Sequence, residues 1–73
     1  MMDIVNKLTV GDSYVFNIRH PEQAGKTREI LRVYCGHASP AQRREQTVVL
    51  RDSLGYYSQI RINDIARVLA YGA

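Results

Sequence analysis

Seventy-three residues make a single domain, 1–73. A chain this short buries only about 60% of its unfolded surface and leaves no room for a second core or a large enzyme fold. An apolar fraction of 45% with 23% charged residues excludes a disordered chain. The net charge of +3 is mild for a protein that coats DNA.

In chain order, Asp3 is placed to cap a short helix whose Ile4, Val5 and Leu8 fall on one side. Gly11-Asp12 then signals a turn. Ser13–Arg19 alternates, with Tyr14, Phe16 and Ile18 on the inner face, and predicts a first strand. His20–Lys26, with Pro21 and Gly25, predicts a loop. Thr27–Cys35 predicts a second strand, with Leu31, Val33 and Cys35 inward and Arg28, Arg32 and Tyr34 outward; a helix is the competing reading, since Ile30, Leu31 and Tyr34 fit its spacing too. Gly36–Glu45 predicts an exposed loop carrying Pro40 and the pair Arg43-Arg44.

Gln46–Arg51 predicts a third strand with Val48 and Leu50 inward, followed by a hairpin turn over Asp52–Gly55. Tyr56–Ile62 predicts a fourth strand with Ile60 and Ile62 inward. Asn63-Asp64 predicts a tight turn into a last strand over Ala66–Tyr71. One short helix and five short strands, each set off by turn residues, predict a mainly β fold. Closure into a small five-stranded antiparallel barrel removes the exposed edges of an open sheet.

Ile60-Arg61-Ile62-Asn63-Asp64-Ile65-Ala66-Arg67-Val68, within this order of elements, resembles Sm-like small β-barrels. The same stretch is similar to the closing strand of WYL domains. The glycine-bearing Sm signatures are not present, so the resemblance is one of architecture plus this nine-residue pattern. It implies a nucleic-acid-binding or regulatory binding module.

The side chains name no complete chemistry. Gly25-Lys26-Thr27 ends like a phosphate-binding loop, but His20 stands where the first glycine belongs, Pro21 removes a backbone donor, and strand rather than helix follows. His20, Cys35 and His37 fall short of the four ligands of a structural zinc site. Cys35 and His37 lack a third group to orient a base. The expectation is therefore a non-enzyme with no cofactor and no metal.

Eight of the ten basic residues are Arg, whose planar fork pairs with phosphate or carboxylate and stacks on rings. Tyrosines make up five of the six aromatics. Arg28 and Arg32 beside Tyr34, Arg61 beside Tyr57, and the loop pair Arg43-Arg44 are the candidate contacts for stacked bases and phosphates. The alternative is a small phage or mobile-element interaction or inhibitor protein that occupies a host complex, because Tyr and Arg also dominate protein interfaces. The expected partners are nucleic acid, a nucleoprotein or protein complex, or a second copy of the chain. No membrane is expected, since the longest apolar run, Val68–Tyr71, is far below the roughly 20 residues that span a bilayer. A lone Cys35 and an amino end without secretory order predict a cytoplasmic protein.

Overall fold

The computed structural model describes Val5, residues 7–37 and residues 46–71. Five strands follow in order: β1 (Ser13–Arg19), β2 (Thr27–His37), β3 (Thr47–Arg51), β4 (Tyr57–Arg61) and β5 (Ile65–Ala70), with a single 3₁₀ turn, Ile62–Asp64, between the last two. All pair antiparallel in one sheet of order β4-β3-β2-β1-β5. Each predicted strand is present, with ends displaced by at most two residues.

The connection from β4 to β5 forces this sheet to curl. These two strands lie at opposite ends of the pairing order, about 19 Å apart if the sheet were flat, from four spacings of roughly 4.8 Å. Three residues link them, and the four steps from Arg61 to Ile65, even fully extended, reach only about 14 Å. The bend is made in β2. Its first part pairs with β1 as far as Val33, its last part pairs with β3 from Val33 to His37, and the register shifts between Tyr34 and His37. Gly36 sits in that shift with φ of 99°, a conformation that side chains with a Cβ disfavour. A second glycine bulge starts β1. Gly11, at φ 98°, donates its N–H to the Tyr34 carbonyl (2.8 Å) while the Tyr34 N–H donates to the Asp12 carbonyl (3.0 Å), so two residues face one.

The hollow of the curl holds the core. Phe16, Leu50 and Val48 are fully buried, joined by Val5, Tyr34, Ile62 and Ile65, with Leu8, Tyr14, Ile18, Ile30, Ile60 and Val68 packed around them. Tyr14 meets Phe16 edge to face with ring centroids 6.2 Å apart. On the far side, Arg19 ties β1 to the 3₁₀ turn: its Nη1 donates to the carbonyls of Asn63 (2.6 Å) and Ile65 (3.1 Å).

Two expectations are corrected. The inner face of β2 carries Ile30 and Tyr34, not Leu31, Val33 and Cys35. Phe16 pairs directly with Ile30 and Tyr14 with Arg32, so even-numbered residues share the core side while Leu31 and Val33 face out. The reason is the odd length of the loop from His20 to Lys26, which places Arg19 opposite Thr27 and fixes the parity. The predicted helix near the amino end is not formed among the described residues. Leu8 N–H donates to the Val5 carbonyl in one isolated turn (3.3 Å) and Asp12 N–H to the Thr9 carbonyl in the next (3.1 Å), because nucleating a helix this short costs more than its few bonds return. Residues 1–4 and 6, the rest of that stretch, lie outside the described residues.

Candidate nucleic-acid interface

Hairpin parity builds the solvent-facing side of the sheet. The β3–β4 turn places Arg51 opposite Tyr57, and Arg51 also pairs with Val33, which pairs with Ser13. One row, Ser13-Val33-Arg51-Tyr57, thus crosses four strands on the outer face. Along β4 the outward side chains are Tyr57, Gln59 and Arg61, all exposed, spanning about 13 Å at roughly 3.3 Å per residue. Arg61 Nε contacts Asp64 Oδ2 at 3.3 Å, an exposed pair that contributes little to stability and leaves both Nη groups of Arg61 to other partners.

The turn that presents this strip is built by Asp52. Its Oδ1 accepts from the N–H groups of Leu54 and Tyr56, both at 2.9 Å, and its own N–H donates to the Tyr56 carbonyl at 3.0 Å. Asp52 Oδ1 is engaged within the turn, and Arg51 and Arg61 are the exposed cations on the outer face beside Tyr57.

The seven predicted site residues are divided by the fold. Tyr57 and Arg61 share the outer strip. Arg28 is exposed at the start of β2, opposite Ile18. Arg32 is half-buried and Nη1 donates to the Leu31 carbonyl at 2.8 Å, satisfying a backbone acceptor of β2 beyond its last partner on β3. Arg43 and Arg44 lie outside the described residues. Tyr34 is corrected: it is 3% exposed, inside the core rather than at the rim, because the parity of β2 turns it inward. Burial pushes its phenol above the usual 10.0, and repulsion from Tyr14 adds to the rise.

Arg51 was absent from the predicted contacts. The signal lay in the five-residue stretch Asp52–Tyr56, whose length sets Arg51 against Tyr57 once the hairpin is recognised. No protein family, curated protein or solved structure matches this chain.

Proposed function

We propose that this chain is a non-catalytic binding module of small-barrel, Sm-like architecture. It engages single-stranded nucleic acid, or the complex that processes it, along the outer strip of β4. The observation that carries this reading is the exposed cross-strand pair of Arg51 and Tyr57, with Arg61 two rungs along the same face. An aromatic ring supplies a stacking surface that every base fits, and guanidinium groups neutralise the adjoining phosphates. The barrel assignment draws support from the curl of the sheet and from the 3₁₀ turn that brings the two terminal strands together at one end. Arg28, Arg43 and Arg44 are kept as candidate contacts on the strength of the sequence alone, with Arg32 as a half-buried contributor.

The test is titration of labelled single-stranded and duplex oligonucleotides at several salt concentrations. Saturable binding that weakens steeply with salt, and further in Tyr57→Ala and Arg61→Ala, supports the reading. Absence of saturable, salt-sensitive binding overturns it. A protein-binding or inhibitor role is the second reading, favoured by Leu31 and Leu54, which stand 43% and 80% exposed.

A further inference from the structure

β2 is eleven residues long, and β3 covers only its later part, from Val33 onward. From Thr27 to Leu31 one edge of β2 is bonded to β1; among the described residues no strand pairs with the other. The hydrogen-bonding direction of that open edge follows from parity. His20 N–H donates to the Lys26 carbonyl and Tyr34 N–H to the Asp12 carbonyl, so even-numbered residues of β2 direct their backbone groups to β1. The backbone groups of Glu29 and Leu31 therefore point away from β1, into the space where a further strand would lie. Beside this edge is a groove of about 610 Å³ whose lining includes Leu31, Arg32 and Val33 of β2, Arg51 of β3, and Asp52 and Leu54 of the hairpin turn.

We infer that this edge accepts an extended acidic peptide as an added strand, with one aliphatic side chain seated between Leu31 and Leu54. Three observations select that occupant. The edge offers the N–H and carbonyl of Glu29 and the N–H of Leu31 at the spacing an extended peptide matches, while the Leu31 carbonyl already accepts from Arg32 Nη1, which an added strand shares or displaces. The groove wall is aliphatic, with no aromatic platform for a base among its residues. Its lining is net cationic, Arg32 and Arg51 against the single carboxylate of Asp52, whose Oδ1 is already held by the N–H groups of Leu54 and Tyr56. This peptide site shares Arg51 with the outer strip but is built on Leu31 and Leu54, which the strip does not use, and it does not rest on the nucleic-acid reading.

The probe is a random decapeptide library displayed against the intact chain, followed by amide chemical-shift mapping with the enriched peptide. Enrichment of peptides with acidic residues flanking a Leu, Ile or Val is expected, with shifts and new exchange protection at Glu29 and Leu31. Leu54→Ser and Arg51→Glu, both at exposed positions, should each weaken that peptide at least tenfold; Tyr57→Ala should leave it unchanged. Leu54→Ser should leave oligonucleotide binding unchanged, so the two sites fail or succeed separately. The inference is overturned by a selection without such enrichment, by shifts confined to other strands, or by undiminished binding to Leu54→Ser. It is also overturned if oligothymidine alone protects the Glu29 and Leu31 amides, or if the chain alone dimerises with their protection, which would assign the edge to nucleic acid or to a second copy.

Discussion

Arg51 and Tyr57 are direct partners across β3 and β4 on the solvent side of the sheet. An exposed cross-strand pair of this kind contributes only about 0.2 to 1 kcal/mol to folding, whereas a base stacked on an aromatic ring contributes roughly 1 to 3 kcal/mol to binding. Tyr57→Ala should therefore change the urea midpoint little while weakening single-stranded oligonucleotide binding by about five-fold or more. Equal losses in melting and titration would show that Tyr57 acts through the fold.

Leu50 is fully buried opposite Tyr34, and Leu31 is 43% exposed on the other face. Leu50→Ala should destabilise by about 2 to 5 kcal/mol, from lost transfer energy and the cavity left behind. Leu31→Ala should cost under about 1 kcal/mol. Urea melts of the two variants read the register of β2 directly, and a reversed ranking would mean that odd-numbered residues of β2 face the core.

The strand order of the chain was legible because turn residues punctuate it: Gly11-Asp12, His20–Lys26 and Asp52–Gly55 bound segments that alternate clearly, and Phe16, Val48 and Leu50 lie inward as their alternation predicts. β2 was harder because it is apolar on both faces. Ile30 and Tyr34 compete with Leu31, Val33 and Cys35, so alternation within the strand cannot choose between them. What chooses is pairing with β1, a non-local relation set by loop length. The site suffered from the same ambiguity at Tyr34, which the inverted face placed at the surface; Arg51 was missed for another reason, since its pairing with Tyr57 is set by the length of the β3–β4 turn.

Tyr34 links stability to alkaline pH. Its phenol is raised above 10.0 by burial, and then by Tyr14. The folded state thus holds the proton after the unfolded chain has released it, so the folded state binds more protons in that window. Stability is fully present below pH 10.0 and is lost as pH rises from there through the folded value. Urea midpoints taken either side of pH 10 should fall for the natural chain and fall less for Tyr34→Phe, which keeps the ring and removes the titrating group. Identical slopes for the two proteins would show that Tyr34 does not carry this term.

Asp52 organises the turn on which both proposed sites depend, because Oδ1 accepts from Leu54 and Tyr56 while the Asp52 and Gly55 N–H groups close the backbone around it, the latter donating to the Asp52 carbonyl at 3.0 Å. Hydrogen bonds to a charged acceptor contribute roughly 1.5 to 3 kcal/mol, and the exposure of this turn to water places the loss at the lower end. Asp52→Ala should cost about 1 to 2 kcal/mol. Asp52→Asn should recover part of it, since an amide oxygen still accepts from both donors without the charge. Hydrogen exchange gives the local readout: the Leu54 and Tyr56 amides should exchange faster in Asp52→Ala than in the natural chain, with Phe16 and Leu50 reporting only the global loss. Unchanged exchange at Leu54 and Tyr56 would mean that the backbone bonds alone hold the turn.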